Sequence, residues 1–317
     1  MDELSVSIVV PVYNSARTLE PLVDRLEDVL DDREYEILLV NDGSTDESWR
    51  RIVELASERR RLRGLDLARN YGQHNALLAG IRTARNDVIV TLDADLQNPP
   101  EEIPRMLAKL DEGWDVVYGT PLERRHGLRR NLAARMTRYA FRVAMGIDMA
   151  RKVSAFRAFR APLRDSFAFF QGPYVGIDVL LSWATTRFES IQVAHDERSE
   201  GRSSYTVGQL ATHAMTMLIG FSTRPIRIAT ALGLATVVFG TVLLAVVLAA
   251  YAIHPGAVHG FTFLASALAI FSGVQLLTLG VIGEYLARMH TRLMDRPAYA
   301  LREEVGSSVT ADEHAAG

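Results

Sequence analysis

Val88-Ile89-Val90-Thr91-Leu92 is an apolar, β-branched run that breaks off into Asp93-Ala94-Asp95-Leu96-Gln97-Asn98-Pro99-Pro100, and this break constrains the chain more than any other feature. β-Branched side chains suit a buried pleated strand, so the carboxylates fall at a strand's carboxyl end. Asn98, the proline pair and then Glu101 and Glu102 read as a helix start, with Asn98 as cap and the acids complementing the positive end of the helix. Two carboxylates two residues apart, with Gln97 alongside, supply hard oxygen ligands that suit Mg²⁺ or Mn²⁺ where a diphosphate completes the shell. Taken alone, the same residues also read as a polar turn capping a helix.

The same grammar recurs upstream. Val6 to Val10 reads as a strand followed by Pro11-Val12-Tyr13-Asn14 and a helix from about Thr18 to Leu30. Tyr35 to Val40 ends in Asn41-Asp42-Gly43-Ser44-Thr45-Asp46-Glu47, where Ser44 and Glu47 have the spacing of a capping box. Leu62 to Leu67 leads through Ala68-Arg69-Asn70-Tyr71-Gly72-Gln73 into a helix reaching Ala84, and Val116 to Tyr118 is a fifth strand. Strands alternating with helices predict an α/β, Rossmann-like, doubly wound and mostly parallel sheet. Ligands of such sheets bind where the carboxyl ends of the strands open. Tyr13 and Asn14, Asp42, and the cluster from Asp93 to Gln97 converge there, although Asp42 alone also reads as a turn-shaping residue.

Several chemistries are excluded or disfavoured. No Gly-x-Gly-x-x-Gly follows the first strand and no Gly-Lys-Ser/Thr occurs, so neither dinucleotide redox chemistry nor a phosphate loop fits. The 317 residues contain no cysteine, which removes disulfides, thiolate metal sites and a thiol nucleophile. A net charge of −3 argues against nucleic acid as partner. Phosphates must be held otherwise, and a metal at Asp95 and Gln97 would do so, leaving Asp42 for a ribose hydroxyl or base edge.

Pro11-Val12-Tyr13-Asn14, Asn41-Asp42-Gly43-Ser44, Arg69-Asn70-Tyr71-Gly72 and Asp93-Ala94-Asp95-Leu96-Gln97 resemble, in order, the motifs of family 2 glycosyltransferases. More narrowly the chain is similar to the polyprenyl-phosphate glycosyltransferases, which include dolichol-phosphate mannose synthase and bacterial undecaprenyl-phosphate sugar transferases. The resemblance implies a glycosyltransferase A type domain in which Pro11, Tyr13, Asn14 and Asp42 hold the nucleotide sugar. By the same resemblance Asp93 faces the donor and acts in catalysis, and Asp95 with Gln97 binds Mg²⁺ or Mn²⁺. It also implies that arginines between Arg124 and Arg130 meet the lipid phosphate, with Arg124, Arg129 and Arg130 the candidates. Arg135, Arg138 and Arg142 share one face of a helix and read equally as a solvated or headgroup-facing surface.

Arg198-Ser199-Glu200-Gly201-Arg202-Ser203 resembles the family's loop over the donor diphosphate, which implies catalytic and diphosphate-binding roles for Arg198 and a supporting one for Ser203. One position departs from the family: Ala155, before Phe156-Arg157, stands where relatives carry an acid proposed as a base. Either the base lies elsewhere, with Asp178 a possible substitute or a structural residue, or none is required. A phosphate monoester with a second pKa of about 6 is mostly dianionic near neutrality and attacks without giving up a proton.

Ile228 to Ile253 and Phe261 to Gly283 carry no charge, and each exceeds the roughly 20 residues that cross a bilayer core. Arg224 and Arg227 precede the pair and Arg288, Arg292 and Arg296 follow it, while the loop from His254 to Gly260 has no Lys or Arg. Positive flanks belong inside. The expected organisation is a cytosolic catalytic domain over 1–205, an interfacial amphipathic region over 206–227, and transmembrane helices over 228–253 and 261–283. A juxtamembrane helix over 284–302 and a disordered tail over 303–317 follow. The expected location is the cell (inner) membrane, multi-pass, with both termini cytoplasmic and a homo-oligomer possible through the hairpins. The expected reaction is inverting transfer of a hexose from a nucleotide diphosphate sugar, UDP-linked by preference and GDP-mannose as an option, to polyprenyl phosphate. A processive polysaccharide synthase and an inactive membrane scaffold are the rival readings. The first usually carries a Gln-x-x-Arg-Trp motif, which none of Trp49, Trp114 and Trp183 completes.

Overall fold

The computed structural model describes residues 4–121, 153–170, 176–194, 224–253, 260–294 and 297–306. Strands β1 (Val6–Val12), β2 (Tyr35–Asn41), β3 (Leu62–Leu67) and β4 (Val88–Thr91) are buried at every position, as apolar runs covered on both faces must be. They pair in parallel in the spatial order β3-β2-β1-β4. Alternate residues of β1 serve opposite layers. Ile8 and Val10 join helices α1 (Leu19–Leu30), α2 (Ser48–Glu58) and α4 (Ile103–Asp111) in one core. Val9 joins α3 (Gln73–Thr83) and α5 (Ile177–Ala184) in the other. The doubly wound expectation therefore holds for this half of the sheet.

The second half mixes directions. β6 (Arg157–Arg160) runs antiparallel between β4 and β5 (Val116–Pro121), and β7 (Phe188–Val193) lies parallel beside β5. The carboxyl ends of β5 and β7 therefore open on the same edge of the sheet as those of β1 to β4. Arg124, Arg129 and Arg130 follow β5, and Arg198 and Ser203 follow β7; all five lie outside the described residues.

Two local expectations are corrected. Ser44 does not cap α2: its hydroxyl accepts the N–H of Asn14 at 3.0 Å, and Asp46 Oδ1 instead accepts the N–H of Ser48 at 3.0 Å. Asn98 is buried and makes no side-chain cap; a 3₁₀ turn at Pro100–Glu102 leads into α4. Prolines at 99 and 100 fix φ without supplying N–H groups for a cap to satisfy.

The C-terminal end differs more. Two long helices, α6 (Arg224–Ile253) and α7 (Phe261–Leu293), pack on each other, with the Phe271 ring against the space at Gly240. At about 1.5 Å per residue, 30 residues span about 45 Å. Thr230, Thr236, Thr241 and Thr278 donate their hydroxyls to carbonyls one turn back, which satisfies them within the helix. Among the described residues, which leave out several side chains inside both helices, no helix is long and apolar enough to cross a membrane. The complete sequence nevertheless carries no charge over 228–253 or 261–283.

Beyond α7 the juxtamembrane helix expected to reach 302 ends at Leu293, and residues 303–306 are not a disordered tail. They belong to β8 (Leu301–Gly306), which pairs antiparallel with the edge strand β3. Glu304 explains the difference, because it meets the buried Arg63 at 2.6 Å, and Arg63 also pairs with Glu36 at 2.9 Å. These partners are far apart in sequence, so a charged segment that looks solvated locally is held by the sheet edge.

Candidate active site

Strand order reverses at β1, and the crevice forms at this switch point. After β2, Asp42 turns its carboxylate inward and is almost fully buried. Its two oxygens accept the N–H groups of Tyr71 at 2.7 Å and Gly72 at 2.9 Å. Gly43, at φ 64°, lies so close beneath this loop that a Cβ would stand 2.4 Å from the Asn70 nitrogen. Asp42 and Gly43 together thus clamp the loop after β3 over the loop after β2. Burial raises the Asp42 pKa above the ordinary carboxylate value, and the two amide bonds oppose that rise. Asp42 thus takes the turn-shaping part that the sequence allowed it, building the cleft wall with both oxygens while still lining the cleft.

The loop after β1 is stitched to the same wall. Asn14 adopts φ 51°, which short amide side chains tolerate, and its Oδ1 accepts the N–H of Thr45 at 2.8 Å. Ser15 and Ala16 donate their N–H groups to Ser48 Oγ and Asp46 Oδ2. Asn14 therefore braces two loops and does not line the cleft, whereas Tyr13 beside it does, half-exposed.

After β4 the acidic turn is compact. Leu96 sits at φ 62°, and across it the N–H of Gln97 reaches Asp95 Oδ1 at 3.1 Å. Gln97 thus supports Asp95 through its backbone and does not line the cleft. Asp93 accepts from Gln73 Nε2, at the start of α3, at 2.5 Å. Pro11, Tyr13, Asp42, Asp93 and Asp95 meet in one open cleft of about 340 Å³. Val12, Ser15, Asn70, Gly72, Gln73 and Ala94 complete its lining. Of these, Asn70, Gly72 and Gln73 lay in a motif already visible in the sequence, but nothing local showed that Gln73 would reach Asp93.

The donor set fits a hard divalent cation. Among the described residues no cluster of three His, Cys, Asp or Glu side chains exists to cage a metal. Two carboxylates in an open cleft instead match the way Mg²⁺ and Mn²⁺ take one or two protein oxygens and leave the remaining positions to phosphates and water.

Neighbouring β6 resolves Asp178. The Thr91 hydroxyl donates to the Ala155 carbonyl at 2.8 Å, which sets position 155 beside the end of β4. Asp178 is buried and receives Arg157 Nη1 at 2.5 Å and the Tyr118 hydroxyl at 3.0 Å. Burial, and then the Asp178 charge, push the Tyr118 pKa well above its ordinary value. Asp178 is therefore a core ion-pair residue and does not line the cleft, so the substitute-base option is not realised.

Comparison with known proteins agrees with this architecture. Residues 7–167 match the family model for glycosyl transferase family 2. A curated relative from Aeromonas hydrophila, an undecaprenyl-phosphate 4-deoxy-4-formamido-L-arabinose transferase, is 34% identical over 98% of this chain and 97% of its own. The Proteus mirabilis protein of the same name is 36% identical over 95% and 94%. Among solved structures, glucosyl-3-phosphoglycerate synthase from Mycobacterium tuberculosis in complex with Mn²⁺ and UDP-glucose shares the fold. It aligns with a TM-score of 0.50 at 20% identity, covering 68% of this chain and 78% of that one. With its switch-point cleft, its ordered motifs and relatives matched over nearly its whole length, the chain belongs to glycosyl transferase family 2 and is a glycosyltransferase.

Proposed function

We propose that the protein transfers a sugar, with inversion, from a nucleotide diphosphate sugar to polyprenyl phosphate at the cytosolic face of the cell membrane. The observation that carries this reading is the meeting of Tyr13, Asp42, Asp93 and Asp95 in one switch-point cleft of a chain that matches undecaprenyl-phosphate sugar transferases from end to end. A UDP-linked donor is favoured. The sugar is a hexose or, following the names of both relatives, a 4-substituted arabinose.

In the proposed reaction a phosphate oxygen of the lipid attacks the anomeric carbon as the bond from that carbon to the nucleoside diphosphate breaks. The Tyr13 ring offers a stacking surface for the base, and Asp93, oriented by Gln73, faces the sugar. Asp95, braced by the Gln97 N–H, would hold Mg²⁺ or Mn²⁺, which when bound supplies Lewis-acid neutralisation of the leaving diphosphate. Arg198 and Ser203 are assigned to the diphosphate, and Arg124, Arg129 and Arg130 to the acceptor phosphate, from the family pattern. No protein base is needed, because the acceptor dianion carries no proton to remove. Ala155 is compatible with that economy.

The membrane part of the proposal rests on the uncharged runs and on α6 and α7. Leu234, Val237, Phe239, Leu264, Leu268 and Leu276 are each between 62% and 69% exposed, an apolar surface out of place in water. Gln275, exposed on α7, offers a hydrogen-bonding group to the hairpin of another copy. The absence of native cysteine makes topology directly measurable. Ala257→Cys in intact cells is expected to react with an impermeant maleimide, whereas Glu34→Cys reacts only after lysis. Equal labelling of both before lysis would overturn the hairpin.

The transfer itself is tested with full-length protein in detergent and undecaprenyl phosphate, offering labelled UDP-glucose, UDP-4-deoxy-4-formamido-L-arabinose and GDP-mannose. One donor is expected to give a mild-acid-labile lipid with Mn²⁺ and none with chelator. Label entering a long polymer would favour a processive synthase. No transfer by a folded protein would favour the inactive scaffold.

A further inference from the structure

The strand that follows the second long helix reaches into the donor cleft's supports. Arg302, on β8, donates from Nη1 to Asp66 Oδ2 at 3.1 Å and from Nη2 to the Ala68 carbonyl at 2.6 Å. Asp66 is 2% exposed, and its other oxygen accepts Asn41 Nδ2 at 2.7 Å. A carboxylate only accepts, so it dictates which end of the Asn41 amide faces it. Asn41 Oδ1 is thereby left for the N–H of Ser44, at 3.3 Å. Ser44 Oγ in turn accepts the N–H of Asn14 at 3.0 Å. The relay Arg302, Asp66, Asn41, Ser44, Asn14 thus ends on the two loops that present Tyr13 and Asp42. A parallel route exists: the Ala300 carbonyl accepts the N–H of Ala68 at 2.9 Å, and Tyr299 packs in the same cluster as Tyr71, whose N–H Asp42 holds.

We propose that Arg302 is a positioning residue of the donor site, its guanidinium fixing Asp66 and, through Asn41 and Ser44, the loops that grip a nucleoside diphosphate. The segment leaving the hairpin then sets donor affinity through this one side chain, so an enzyme whose Arg302 is withdrawn from Asp66 binds its donor poorly, whatever else holds the strand. The inference rests on the donor-site reading above. The Arg302 side chain is 59% exposed, but the carboxylate it meets and the amide beyond it are buried, and hydrogen bonds between buried groups are coupled, so loss of the guanidinium is felt along the relay.

The test is calorimetric binding of UDP and of GDP, each with Mn²⁺, to full-length wild type, Arg302→Ala, Arg302→Lys and Glu304→Gln. Glu304 lies on the same strand and pins it to Arg63 at 2.6 Å without touching Asp66, so its variant loosens docking alone. Arg302→Ala is expected to weaken the preferred nucleotide by about 5–20-fold, with the donor KM rising by the same factor and kcat moving less than about 2-fold. Arg302→Lys is expected to recover binding to within about 3-fold, and Glu304→Gln to stay within about 2-fold of wild type. Wild-type binding by Arg302→Ala, or equal weakening by Glu304→Gln, overturns the relay. If wild type binds neither nucleotide, the donor-site reading falls and takes the relay with it.

Discussion

Asp95→Asn is expected to lower kcat for sugar transfer by about 10²–10³, the scale seen when one preorganised group that stabilises developing charge is removed. Asparagine keeps an oxygen at the Oδ1 position, so the bond from the Gln97 N–H at 3.1 Å survives and the turn with Leu96 at φ 62° is retained. What it removes is the negative charge that a divalent cation requires. The Mn²⁺ concentration giving half-maximal nucleotide binding should therefore rise while the melting temperature changes little. The measurement is steady-state transfer across a Mn²⁺ titration, together with thermal unfolding of the same preparations. A variant that keeps more than a third of wild-type kcat with unchanged Mn²⁺ dependence would show that Asp95 is only a turn residue.

How much of this was legible in the sequence depends on the range of the interaction that fixes each element. β1 to β4 are buried on both faces, so their runs announce themselves without help from partners, and observed bounds differ from expected ones by at most two residues. The convergence of Tyr13, Asp42, Asp93 and Asp95 follows from the topology those runs imply. Ser44 was misread because its local geometry suits a cap, while a backbone donor thirty positions away claims its hydroxyl. Residues 303–306 read as tail because half of Leu301–Gly306 is charged and no apolar run marks a strand; the ion pairs to Arg63 and Asp66 lie far off in sequence. Gln73 was missed for the same reason, since its one informative contact lies across the cleft on Asp93.

The donor cleft and the hairpin exit meet in β3. Its Asp66 faces Asn41 on one side and Arg302 on the other, and its Arg63 joins Glu36 to Glu304. An edge strand that is otherwise a liability is covered by the chain's own C-terminal segment. In the proposed membrane topology, that arrangement requires the segment after α7 to lie on the same side of the membrane as the catalytic sheet. The arginine flanks around the two uncharged runs favour that proposed topology on separate grounds.

Asp178→Ala is expected to destabilise the catalytic domain by about 3–5 kcal/mol, because it strands a charge inside a closed core. Arg157 is 2% exposed, and without Asp178 the acceptor left to it among the described residues is the Ala155 carbonyl, 3.4 Å from Nε. The Tyr118 hydroxyl, wholly buried, loses its acceptor as well. For a domain of this size such a loss lowers the melting temperature by roughly 6–20 °C. Replacing both partners, as Arg157→Met with Asp178→Leu, should cost much less than either single change, since no unpaired charge is left behind. Fluorescence-detected thermal unfolding in detergent compares the three proteins, and transfer rate per folded molecule separates stability from chemistry. A core role predicts that Asp178→Asn keeps kcat near wild type at temperatures where it is folded. A catalytic base would show the reverse, a collapse of kcat in a protein that melts normally, and that outcome would return Asp178 to the reaction and give Ala155 a partner for its missing acid.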